Sequence, residues 1–168
     1  GAGRDLEAME HYTRIGWSLF YTESLGTIER YLEGYEALLD AMDFGPEDAP
    51  RAHWHLIHSR YIRNRTGDTE RAGEELAKAM ELAKRHNLPE TEGLAVALTI
   101  HLGAGEADAR EALLEQTLAS RDWETWPEVY ASLLHIRAWT AYGAGAYDDA
   151  IAWLERAAQL YEACGALL

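Results

Sequence analysis

The sequence predicts an all-α fold of about four antiparallel helix pairs. Three observations carry that prediction: a phrase that recurs along the chain, helical periodicity after each recurrence, and no alternating β-branched run long enough for a strand. The recurrence is plainest in "GAGAYDDAIAWLERA" at Gly143–Ala157 and "GAGEADAREALLEQT" at Gly103–Thr117. Two further stretches align with them, "GTIERYLEGYEALLDAM" from Gly26 and "GDTERAGEELAKAMELA" from Gly67. Each reads as glycine, a short polar turn, then a helix whose first buried position is Tyr31, Ala72, Ala109 or Ala150, at spacings of 41, 37 and 41 residues.

Taken in order, the first pair joins a helix over Glu7–Glu23 to one with the stripe Tyr31, Tyr35, Leu38, Leu39 and Met42, and Gly45-Pro46 and Pro50 end it. The second joins Pro50–Asn64 to the stripe Ala72, Leu76, Ala79, Met80 and Ala83, ending between Asn87 and Pro89. The third joins Glu92–Leu102 to the weakest stripe, Ala109, Ala112, Leu113 and Thr117, ending at Ser120-Arg121-Asp122. The fourth joins Thr125–Tyr142 to Ala150, Ile151, Leu154, Ala157, Ala158 and Tyr161. Thr125, with Glu128 three residues on, predicts that helix start, because the two side chains can satisfy exposed backbone N–H groups reciprocally. Glycine suits each tight turn because it takes φ > 0 without steric cost. Alanine at Ala72, Ala109 and Ala150 lets the second helix of a pair lie close on the first. These units, about 6–44, 48–88, 90–120 and 125–166, make one domain over 4–168.

The surface is acidic throughout. Fifteen Lys and Arg stand against 29 Asp and Glu, a net charge of −14, with an excess of carboxylates in both halves. Such a surface repels phosphate backbones and anionic lipid, so no direct nucleic-acid contact and no membrane association are expected. Cys164 is the only cysteine, which excludes an internal disulfide and any metal site built on several cysteines, and favours a cytoplasmic setting. No apolar run approaches the length of a membrane span, and no signal peptide opens the chain. Gly1-Ala2-Gly3 reads as a cut site or expression scar, and "YEACGALL" as an abrupt stop, so both ends are expected to be excisions from something larger.

The pattern Gly-x-Tyr-x-x-Ala-x-x-x-Leu-x-x-Ala is met by Gly145, Tyr147, Ala150, Leu154 and Ala157, and, with Thr69 for tyrosine, by Gly67, Ala72, Leu76 and Ala79. It resembles a tetratricopeptide repeat (TPR), and Tyr31 and Arg110 disturb the match in the first and third units. The resemblance implies a right-handed superhelix, a TPR-like α-solenoid. The period exceeds the standard unit of about 34 residues. With endings such as "LAKRHNLPE" and "YEACGA", the long form is similar to the helical-repeat sensor domain of large ATP-binding bacterial transcription activators of the LuxR/MalT type. That implies a signal-sensing or protein-interaction segment, with ATPase and DNA-binding parts elsewhere.

Chemistry is sparse. "GAGEAD" and "GAGAYD" begin like a dinucleotide-binding loop, but a helix precedes each and the third glycine is absent, so both read as helix turns. No Walker loop, G-x-S-x-G or H-E-x-x-H is present. In "HWHLIH", His55 and His58 share a helical face while His53 points elsewhere. Half-buried or groove histidines are expected there, because zinc would need a third ligand from another helix. Cys164 reads as a small filler rather than a reactive thiol. Arg60, Arg63 and Arg65 form the one dense positive patch, read as pairing with Glu29, Glu33 and Glu36, the alternative being a carboxylate or phosphate site. With no convergent acid–base pair and no cofactor motif, neither an enzyme nor a cofactor is expected.

Six tryptophans are many for 168 residues. In the superhelix that the resemblance implies, the first helix of each pair lines the concave face. Alignment on the glycine turns points Arg14, Trp17 and Tyr21 inward, then His55, His58, Ile62 and Arg65, then Ala95, Thr99 and Leu102, and finally His135, Trp139 and Tyr142. A ligand or peptide groove of Trp17, Tyr21, His55, His58, Arg60, Arg65, His135, Trp139 and Tyr142 follows. It suits an extended peptide or a small-molecule inducer with an anionic end. Two functions are expected from different settings: a non-catalytic sensing or interaction segment of a regulator, or a free-standing scaffold binding a partner's peptide tail. The apolar Leu160, Tyr161, Leu167 and Leu168 at the chain end also allow a homodimer through solenoid ends.

Overall fold

The structure, a computed structural model, describes residues 24–103 and 106–165. The helix expected over Glu7–Glu23 lies outside the described residues, and with it Arg14, Trp17 and Tyr21. The described residues are all-helical. Seven α-helices follow one another: α1 (Leu25–Ala41), α2 (Ala49–Thr66), α3 (Thr69–Arg85), α4 (Pro89–His101), α5 (Ala107–Ala119), α6 (Pro127–Gly143) and α7 (Tyr147–Ala163), with a 3₁₀ turn at Trp123–Thr125 before α6. They pack mostly as sequential antiparallel neighbours, most closely α2 on α3 and α6 on α7. The chain divides between Thr91 and Glu92 into two compact units.

The helix ends explain the connections. Gly67 ends α2 in the left-handed region at φ 72°, its N–H returning to the Arg63 carbonyl at 2.9 Å. Asp68 then caps α3, its side chain accepting from the Arg71 N–H at 3.0 Å. Asp43 and Asn87 take positive φ after α1 and α3, and the next N–H bonds back five residues, Phe44 to Leu39 and Leu88 to Ala83. Short polar side chains tolerate that conformation, so glycine is not required there. Two expected turns move. Gly26 lies inside the first turn of α1 with ordinary backbone, and the left-handed residue after α6 is Gly145, not Gly143. The expected Thr125 start is replaced by the 3₁₀ turn. Pro127 opens α6, where its missing N–H and fixed φ cost nothing.

In the first unit, Ile28, Tyr31, Leu32, Tyr35 and Leu39 of α1 bury against Ile57 of α2. Ala52 of α2 meets Leu82 and Ala83 of α3. Full burial of side chains such as Ile28, Leu39, Leu56 and Leu76 contributes about 1.5–3 kcal/mol each. In the second unit, Ala131 and Leu134 of α6 pack on Ala157, Leu160 and Tyr161 of α7. Its other anchor is Trp123, which is buried and donates its indole N–H to the Thr117 carbonyl at 2.7 Å. Arg121 lies over the Trp123 ring at 5.2 Å and pairs with the buried Glu92 at 2.6 Å. The stripe expected on α5 holds at Thr117, which is buried, and is corrected elsewhere: Leu114 is buried beside it, Leu113 is half-buried, and Ala109 and Ala112 are exposed. On α7, Ile151 and Leu154, expected to be buried, are exposed.

Candidate functional site

Two clusters stand out, one in each unit. The first is polar and closed. Glu75 projects from α3, a helix whose Ala72, Leu76, Ala79 and Ala83 are buried. His55 and His58, one turn apart on α2, meet the same carboxylate oxygen through Nδ1 at 2.6 and 3.2 Å. An ionised carboxylate only accepts, so each imidazole carries its proton on Nδ1 and donates. Lys78 donates to the other oxygen at 2.7 Å, and Trp54 lies against the His58 ring at 4.4 Å between centroids. Burial alone would raise the Glu75 pKa. Hydrogen bonds from His55, His58 and Lys78 outweigh it and hold the carboxyl well below the usual carboxylate range. The carboxylate thus takes three donors, two on one oxygen and one on the other. Among the described residues no group of three His, Cys, Asp or Glu side chains is placed to hold a metal ion.

His53, adjacent in sequence, faces α1 instead. Its Nε2 lies 2.9 Å from the Tyr31 hydroxyl, and the ring packs edge-on to Tyr35. Burial lowers its pKa to about 4. Arg65 pairs with Glu29 at 3.3 Å, and Tyr61 donates to the same carboxylate at 2.8 Å. Arg51 takes Glu36 at 2.6 Å. Arg60 is a half-buried residue of α2. Of the inward set expected in this unit, Ile62 is buried core, and His55 and His58 turn to the partner helix of their own hairpin.

The second cluster is apolar and open. Helix α6 is buried on two flanks, through Val129, Leu133 and Ile136 on one and Ala131, Leu134 and Ala138 on the other. Between them runs one exposed stripe at helical spacing: His135, Trp139 and Tyr142. Trp139 is 63% exposed and Tyr142 is 62% exposed. The turn at Gly145 then sends α7 back, and the Tyr142 ring meets Tyr147 at 5.4 Å, edge to face. From Tyr147 the exposed apolar stripe continues along α7 through Ile151 and Leu154. Among the described residues these five are the exposed large hydrophobic side chains, and all lie on this one hairpin.

The sequence places His135, Trp139 and Tyr142 on one line of α6, expected to face inward into a groove; the structure leaves that line exposed and brings Tyr142 to Tyr147. It does not by itself reveal Tyr147, Ile151 and Leu154 as open. The available signal is the width of the apolar arc on α7. Ala150, Ala157, Leu160 and Tyr161 already supply the face packed on α6, and Tyr147, Ile151 and Leu154 form a second line beside it. Cys164 is half-buried just past α7, and burial, then Glu128, push its thiol pKa up, against a reactive thiolate. No helix among the described residues is long and apolar enough to cross a membrane. The chain matches no protein-family model, no curated protein and no solved structure.

Proposed function

We propose that this chain is a non-catalytic binding module and that its working surface includes the open aromatic face of the α6–α7 hairpin. One observation carries the reading: every exposed large hydrophobic side chain among the described residues lies on that hairpin, on two adjoining helical stripes. Apolar side chains scattered singly need no explanation, whereas a contiguous patch marks an interaction site. The amphipathic side chains suit the role, since Trp139, Tyr142 and Tyr147 each offer a flat apolar body and a polar tip. The engagement of Glu75 by three donors from its own hairpin is consistent with a structural role for the other cluster.

The repeat pattern supports the finer reading of a TPR-like solenoid. It also supports a place as the signal-sensing or protein-interaction segment of a larger bacterial transcription regulator. That part is tested by the parent gene, which should encode an ATPase and a helix-turn-helix, and fails if it encodes neither. The binding reading is tested by titrating tryptophan fluorescence with fractionated metabolite and peptide pools. A saturable change abolished by both Trp139→Phe and Leu154→Asp is expected. A saturable change indifferent to both would move the working surface off this hairpin.

A further inference from the structure

We propose that the α6–α7 face docks a cationic amphipathic helix from a protein partner, an inference that rests on the binding reading above and names its occupant. An acidic line flanks the apolar stripe on α7. Asp148, Glu155 and Glu162 recur every seven residues, so they share one line along the helix. At about 100° per residue, that line follows the Tyr147–Ile151–Leu154 stripe on the side away from the face packed on α6. All three carboxylates are exposed, and among the described residues none has an ion-pair partner. The second unit holds four arginines against twelve carboxylates and no lysine. Arg121, Arg137 and Arg156 are engaged with Glu92, Glu115 and Glu124. The surface therefore reads, across the hairpin, as aromatic strip, aliphatic strip, acidic rim.

The shape points to a helix. Tyr147, Ile151 and Leu154 stand at i, i+4 and i+7, which is the spacing another helix meets with its own apolar stripe. The chain offers an internal comparison. Leu154 is aligned with Leu76 of α3 through the shared Ala, Leu, Ala spacing of 72, 76, 79 and 150, 154, 157. Leu76 is fully buried, whereas Leu154 is 44% exposed. A side chain that is covered at one repeat of the pattern is thus open at the other. The rim supplies the sign of the occupant's charge: Lys or Arg along one flank of its apolar face would meet Asp148, Glu155 and Glu162. A second copy of this chain is disfavoured, because pairing two such faces would set acidic rim near acidic rim.

The test uses the full chain and three synthetic peptides of about 18 residues, long enough to span the face as a helix. One carries leucines at helical spacing flanked by lysines and arginines, one has the same leucines flanked by glutamates, and one is a scramble of the first. Binding is read by anisotropy at about 0.05 and 0.5 M salt. The basic peptide should bind at least about tenfold more tightly than the other two, with affinity falling at high salt. Leu154→Asp should abolish binding. The isosteric triple variant Asp148→Asn, Glu155→Gln, Glu162→Gln should lose about tenfold in affinity and most of the salt dependence. Equal binding of basic and acidic peptides, or full binding by the triple variant, would overturn the cationic occupant while leaving the face a binding surface. Binding of the basic peptide unaffected by Leu154→Asp would overturn the face itself. Sedimentation supplies the remaining outcome: a concentration-dependent dimer dissociated by Leu154→Asp would assign the face to a second copy and overturn the proposal.

Discussion

Trp139 donates its indole N–H to Nε2 of His135, 2.9 Å away and one turn back along α6. The bond defines both partners. It requires His135 to be neutral at Nε2, with its proton on Nδ1, and it orients an indole ring that is otherwise open to water. Protonation of Nε2 would remove the acceptor. Nitrogen NMR at neutral pH should show the Nδ1–H tautomer for His135, and Trp139→Phe should release that preference. Because the indole is exposed, Trp139→Phe should shift the melting temperature by no more than a degree or two, while removing much of the iodide-quenchable tryptophan emission. A melting temperature that collapses in Trp139→Phe would mean that the ring is packed, and the face would not be open.

Glu75 ties α3 to α2 through three donors, and its replacement should be felt as stability. Glu75→Ala leaves the Nδ1–H groups of His55 and His58 without their acceptor in a largely buried site, at a cost of about 1–3 kcal/mol. The pH dependence has a definite sign. The folded pKa of Glu75 is held below its ordinary value of 4.5, so its contribution is present above about pH 4.5 and is lost as pH falls toward the folded value. Urea unfolding should therefore show the gap between Glu75→Gln and the parent narrowing below pH 4.5. A gap that stays constant to low pH would mean that ionised Glu75 contributes nothing specific.

The two clusters show what a linear pattern carries. Ala72, Leu76 and Ala79 could be placed as core because a repeat at the helical period specifies a face, and a small residue specifies close approach. The same rule assigns Leu154 to the core, and there it fails. Periodicity says that Leu154 shares a face with its neighbours, not that anything covers that face. His55 and His58 were legible as sharing one side of α2, but their acceptor is Glu75, seventeen residues or more away in sequence and marked by nothing local. The Thr125 start was a sound local signal that Pro127 and the burial of Trp123 override. Side-chain identity sets the helices. Which neighbour each face meets is decided by packing that the sequence does not spell out.

His53 gives a second pH window, separate from that of Glu75. Burial lowers its pKa from 6.5 to about 4, so the unfolded chain binds the proton more readily between those values and stability falls with acid there. Below about pH 6, each pH unit should remove about 1.4 kcal/mol, approaching about 3 kcal/mol near pH 4. His53→Gln keeps a polar contact for the Tyr31 hydroxyl without a titrating ring. The variant should unfold with a flatter pH profile between 6.5 and 4 and an unchanged one above. An identical slope in both proteins would place the acid sensitivity elsewhere.

Gly93 lies buried inside α4. Glycine inside a helix ordinarily costs about 1 kcal/mol relative to alanine, so a replacement should stabilise. At Gly93 the reverse is expected. A methyl group there would collide with Cγ1 of Val129 and stand 3.0 and 3.1 Å from the six-membered ring of Trp123. Both neighbours are buried, and Trp123 is held by Thr117 and Arg121, so neither can yield cheaply. Gly93→Ala should destabilise by about 1–3 kcal/mol as overpacking. Gly26→Ala, where among the described residues the methyl meets nothing within 4 Å, is the matched control and should be neutral or stabilising by up to about 1 kcal/mol. Val129→Ala removes the worst collision, so Gly93→Ala should cost less in that background than in the parent, a coupling that a double-mutant cycle reads directly. Additive costs would mean that α4 reaches Val129 and Trp123 less closely than the packing described above.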